Sequence, residues 1–121
     1  MPNKKYKLIY NTCYNNDVFR IGFGDYKNFK FDMMRLKDKE TVGLTNEGLF
    51  IEGKKVDDTK LEKGNREVIF IIDLTDNKYY FELLIDKRWL GKYHFSLNSI
   101  YALAAFTKGS VKIKTLISNS N

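Results

Sequence analysis

Apolar and polar residues alternate with a period of two through most of this chain, most clearly between positions 63 and 116. Val68, Phe70, Ile72 and Leu74 form one stripe, and Tyr79, Phe81, Leu83 and Ile85 form a second. Val111, Ile113 and Thr115 form a third, with Lys112 and Lys114 on the opposite side. Period two sends successive side chains to opposite faces of a sheet, so each stripe predicts a strand with one buried face. Asp76-Asn77 separates the first two stripes and tolerates the positive φ of a tight hairpin. A return strand over 89–95 completes an antiparallel meander.

The first half follows the same rule in shorter pieces. Tyr6, Leu8 and Tyr10 alternate in a predicted edge strand over 6–14, and Asn15-Asn16-Asp17 reads as a turn. In a strand over 18–23, Phe19, Ile21 and Phe23 face inward, with Gly22 and Gly24 thinning the other side. Phe29, Phe31 and Met33 predict a strand over 28–36 that carries Lys30, Asp32 and Met34 on its other face. Short strands over 41–44 and 49–52 flank Thr45-Asn46-Glu47-Gly48, a strong hairpin signal. Positions 54–62 are polar and read as loop, while 99–105 fits either a helical turn or an extended segment. Many short strands and no long helix predict an all-β antiparallel sandwich, in one domain spanning 1–121.

The order of pieces after Gly64 resembles the C-terminal half of a galectin. Asp86-Lys87, Trp89, Ile100 and Gly109-Ser110-Val111-Lys112-Ile113 stand where that family carries a small turn, an aromatic strand, a loop closing on Ile and a short final strand. Asn11 to Phe23 is similar to the family's F-x-I rhythm, with Phe19 and Ile21 in those places. The resemblance implies a jelly-roll sandwich of the galectin and concanavalin A-like type, and a lectin function. Galectins hold β-galactosides through H-x-N-P-R, an Asn on the next strand, and W-x-x-E-x-R on a third. Carried over by position, these imply a site of Lys30, Asp32, Arg35, Asn46, Phe50, Glu52 and Lys55. Lys30 and Asp32 replace the His and Asn, and Phe50 falls on the Trp. Lys55 falls on the Arg, and Glu52 lies one place before the Glu. A lysine lacks the rigid guanidinium fork, and an Asp accepts where an Asn also donates. Galactose recognition would therefore be altered, toward another sugar or an acidic glycan. Without a ligand, the same residues read more simply. Phe50 would be core, Asn46 a turn residue, and the charged positions a solvated face.

Composition narrows the field of functions. The chain has 121 residues, 43% of them hydrophobic and 15% aromatic, enough for one packed core. Its 21 basic and 15 acidic residues leave a net charge of +6, interspersed rather than blocked, which favours acidic partners by steering. No apolar run approaches a membrane span, and the basic start lacks a signal-peptide core. The expected location is therefore the cytoplasm, or outside the cell without a signal peptide. One Cys and one His exclude an intrachain disulfide and make a zinc site hard to assemble. No nucleophile–base–acid spacing, paired-carboxylate run or phosphate loop is present, so the chain reads as a binding protein without a cofactor. Aromatics interleave with lysines in "YKNFKF", as a single-strand nucleic-acid binder would need, but core-facing alternation explains the same spacing. The expected partner is a glycan or glycoconjugate. The alternative is a protein partner or a homodimer on a sandwich that has lost its sugar site.

Overall fold

A computed structural model describes residues 4–14, 19–25, 41–75, 78–97, 100–106 and 109–119. Ten strands follow one another with no helix among the described residues. They are β1 (Lys4–Tyr14), β2 (Phe19–Gly24), β3 (Thr41–Thr45), β4 (Gly48–Ile51), β5 (Lys54–Asp57), β6 (Gly64–Thr75), β7 (Lys78–Ile85), β8 (Arg88–Phe95), β9 (Tyr101–Phe106) and β10 (Gly109–Asn119). Two five-stranded antiparallel sheets result, ordered β10-β1-β6-β7-β8 and β5-β4-β3-β2-β9. The fold is thus the expected all-β sandwich. No described helix is long and apolar enough to cross a membrane.

The first two predicted stripes supply the core, whereas the third does not: on β10 Val111 is half-buried and Ile113 and Thr115 are exposed, because β10 lies at the end of its sheet. Leu8, Tyr10, Val68, Phe70, Ile72, Phe81 and Leu83 from the first sheet meet Phe19, Ile21, Phe23, Val42, Leu44, Leu49 and Ile51 from the second, all within one buried cluster. Phe23 sits at its centre, edge-on to Phe70 and Phe81 at centroid distances of 5.6 and 5.5 Å. Edge-to-face pairs set the positive ring edge on a negative face, which adds to the burial energy. The Tyr10 hydroxyl donates to the Gly22 carbonyl and ties the two sheets together without leaving a buried donor unpaired.

Several elements differ from their sequence reading. β1 is not an edge strand but lies between β10 and β6, paired to both along its length. Alternation reports which face is buried, and says nothing of what lies on either side. Residues 54–57 form strand β5 instead of loop, because a polar edge strand carries no apolar stripe to reveal it. Of the segment read as either helical or extended, Tyr101–Phe106 is extended as β9, held by pairing with β2, and Ser99 lies outside the described residues. The predicted strand over 28–36 and the turns at 15–17 and 76–77 lie outside the described residues.

Candidate functional site

Of the seven residues nominated by resemblance, Lys30, Asp32 and Arg35 lie outside the described residues. The other four fall on or beside β4. Phe50 and Lys55 are direct cross-strand partners between β4 and β5, on the face turned away from the core. Asn46 sits in the β3–β4 turn and Glu52 in the β4–β5 turn, at opposite ends of β4. A four-residue strand separates those two ends by roughly 13 Å, so Asn46 and Glu52 do not converge on one small ligand.

Local interactions already occupy most of this group. Phe50 is only 7% exposed, so its ring offers no open platform in the free protein. It is buried, as the plainer reading of it expected, but outside the main core cluster. It belongs to a second buried layer, on the outer face of β2, β3 and β4, together with Arg20, Thr41 and Thr45. Glycines make that layer possible. A Cβ on Gly43 would come within 3.1 Å of the Arg20 Nε, and one on Gly22 would overlap the Val42 carbonyl oxygen. Arg20 lies across that bare backbone and donates to the Thr41 hydroxyl. Lys55 pairs with the Asp58 carboxylate, and Glu52 accepts the Ser96 hydroxyl at 2.7 Å. Asn46 differs. Its Oδ1 is buried and accepts no hydrogen bond.

A second concavity opens at one end of the sandwich, between the segment after β5 and the β7–β8 turn. It holds about 300 Å³ and is lined by Thr59, Lys60, Glu62, Arg66, Asp86 and Arg88 over a floor of Ile85 and Leu90. The Arg66 guanidinium donates to the Asp86 carboxylate at 3.0 Å and to the Glu62 and Lys63 carbonyls, which fixes the mouth in shape. The Glu67 backbone N–H, and then Arg66, hold the Asp86 carboxyl below its ordinary range. Nearby, the Thr59 hydroxyl and backbone N–H depress Asp57. Burial and the adjacent Asp57 carboxylate raise the Tyr93 phenol. These contacts tie the chain to itself. They give the cleft rigidity rather than a reacting group.

A further apolar feature lies on the outer face of the β10-β1-β6-β7-β8 sheet, where Ile69 is buried at 8% exposure, Ile9 and Leu84 are half-buried and Trp89 is exposed. Register places Ile9, Ile69, Leu84 and Trp89 in one row across four adjacent strands. Trp89, the chain's single tryptophan, ends the row and is 57% exposed. The adjacent row runs Leu116, Lys7, Ile71, Glu82 and Lys92. Beyond it, Lys92 stands 4.9 Å over the Tyr80 ring, and Tyr80 meets His94 edge-on at 5.2 Å. His94 is exposed there rather than packed inside. Sequence reasoning assigned no role to this face. The missed signal is the run of Val68 to Ile72, five apolar residues of which only alternate ones are needed for the core.

No protein-family model matches the chain, and none of the curated proteins matches it.

Proposed function

We propose that the chain is a non-catalytic protein-binding module that works through the outer face of the β10-β1-β6-β7-β8 sheet. One observation carries this reading: the row Ile9, Ile69, Leu84 and Trp89 ends in a tryptophan more than half exposed. Aliphatic side chains cannot pair with sugar hydroxyls. Covering apolar surface gains about 25 cal/mol per Å², and in this row the gain comes chiefly from Trp89, with lesser shares from the half-buried Ile9 and Leu84 and almost none from the buried Ile69. Exposed tryptophans are also among the residues that dominate protein interfaces. Lys7, Lys92 and Lys114 flank the row together with Glu67 and Glu82, so the fitting partner is a protein with an apolar patch and a rim of mixed charge.

A galectin-like sugar site beside β4 is the second reading, and Asn46 favours it. A buried acceptor without a donor costs about 1–3 kcal/mol, and a ligand hydroxyl reaching Oδ1 would relieve that cost. The same experiment separates the two. Wild type, Trp89→Ala and Asn46→Ala are compared in quantitative crosslinking capture from the source cell and on a glycan array that includes acidic glycans. Loss of a captured protein with Trp89→Ala, but not with Asn46→Ala, supports the protein-binding reading. Glycan binding that falls with Asn46→Ala and ignores Trp89→Ala replaces it with the sugar reading.

A further inference from the structure

We infer that two copies of this chain associate through β10, edge to edge, in one antiparallel register centred on Thr115. A two-sheet sandwich has four edge strands, and a long unprotected edge is a template for pairing. Three of the four are blunted here. β8 carries a register irregularity against β7, β5 is four residues long with another irregularity at β4, and β9 has six residues. β10 differs on every count. It is eleven residues long, pairs with β1 without a break in register, and among the described residues pairs with no strand on its other side.

Its side chains point the same way. Ile113, Leu116 and Ile117 are 41, 43 and 62% exposed, half of the exposed large hydrophobics among the described residues. Ile113 and Ile117 share the inner face with Val111 and Thr115, while Lys112, Lys114 and Leu116 share the outer one. A twofold axis perpendicular to the sheet keeps inner faces on one side, so only registers that oppose residues of the same face are allowed. Centring on Thr115 sets Ile113 against Ile117 twice, Thr115 against Thr115, and Lys114 against Leu116. Centring on Lys114 sets that lysine against itself, and centring on Ile113 sets Lys112 against Lys114. Like charges directly opposite are destabilising, whereas β-branched pairs stabilise a ladder. Centring on Leu116 leaves Ile113 facing Asn119 at the strand end. The edge is therefore self-complementary in one register, which identifies the occupant as a second copy. This inference rests on the edge of β10 and not on the Trp89 row, although Lys114 borders both.

The test uses the full chain in analytical ultracentrifugation, with circular dichroism to verify each fold. Wild type should show a reversible monomer–dimer equilibrium in the micromolar range. It should tighten as salt rises, because each copy carries a net charge of +6. Ile113→Lys should weaken the dimer about tenfold or more, since symmetry breaks both Ile113–Ile117 pairs. Leu116→Lys, on the other face, should weaken it similarly by setting two lysines opposite each other. In a Cys13→Ser background, Thr115→Cys should oxidise to a disulfide-linked dimer, and Ile113→Cys should not, because only position 115 meets itself. A monomer at all concentrations overturns the inference. So does a dimer indifferent to both lysine substitutions, or one in which position 113 crosslinks as readily as 115.

Discussion

Replacing Phe50 with alanine tests which aromatic ring is structure and which is surface. Phe50 is 7% exposed and stands opposite Gly43, which has no side chain of its own to fill the space the ring would vacate. Burying a phenylalanine fully contributes about 1.5–3 kcal/mol by transfer from water. A residual cavity of ~50 Å³ would add about 1 kcal/mol at ~24 cal/mol per Å³. The expected loss is then about 2.5–4 kcal/mol, overlapping the ~3–5 kcal/mol found for such truncations. A chain of 121 residues has roughly 6–18 kcal/mol in total, so the variant should still fold. With a urea m-value of ~1–3 kcal/mol per M, the midpoint should fall by about 1 M or more. Trp89→Ala is the matched control. Its ring is 57% exposed, and the cost should be about 1 kcal/mol or less. Trp89 is the single tryptophan, so both variants need circular dichroism rather than intrinsic fluorescence as the probe. A normally folded Phe50→Ala whose midpoint stays with wild type would refute this reasoning. It would mean that the ring is spare, as a ligand platform would be.

Three further outcomes follow from the same geometry. Phe81→Ala should cost about 3–5 kcal/mol, because Phe81 is fully buried against Phe23, Tyr93 and Phe95; a cost below ~1 kcal/mol in denaturant unfolding would contradict the strand facing. Gly22→Ala should cost more than the ~1–3 kcal/mol of a strained backbone alone, since its Cβ would meet the Val42 carbonyl; thermal melting near wild type would count against the close approach of β2 and β3. Asp86 has a folded pKa depressed below 3.8, so its contribution is present above that value and is lost as pH falls through the folded pKa. The urea midpoints of wild type and Asp86→Asn should therefore differ near neutrality and converge in acid, and a gap that persists to the lowest pH would be the contrary result.

Much of the fold is legible in the chain because period two is a local property. Alternation identified the inward faces of Phe19, Ile21 and Phe23, of Val68 to Leu74 and of Tyr79 to Ile85, and all of them point to the core. The Thr45–Gly48 hairpin was equally local, since turn chemistry needs no distant partner. What alternation could not give was sheet order. It left β1 at an edge and β5 unseen, because edge or centre depends on which strands lie alongside, and those are distant in sequence. The candidate site was legible only in part, for the same reason. The sequence put Phe50 and Lys55 near each other, and the β4–β5 register made them a pair. Burial of Phe50 beside Arg20 depends on how the outer face of the second sheet is filled, which no local pattern reports. Ile9, Ile69, Leu84 and Trp89 are separated by up to 80 positions and become one row only when four strands align. Sequence alone determined which side of each strand is apolar. The tertiary structure decided which apolar sides were covered, because coverage is a relation between strands and not a property of any one of them.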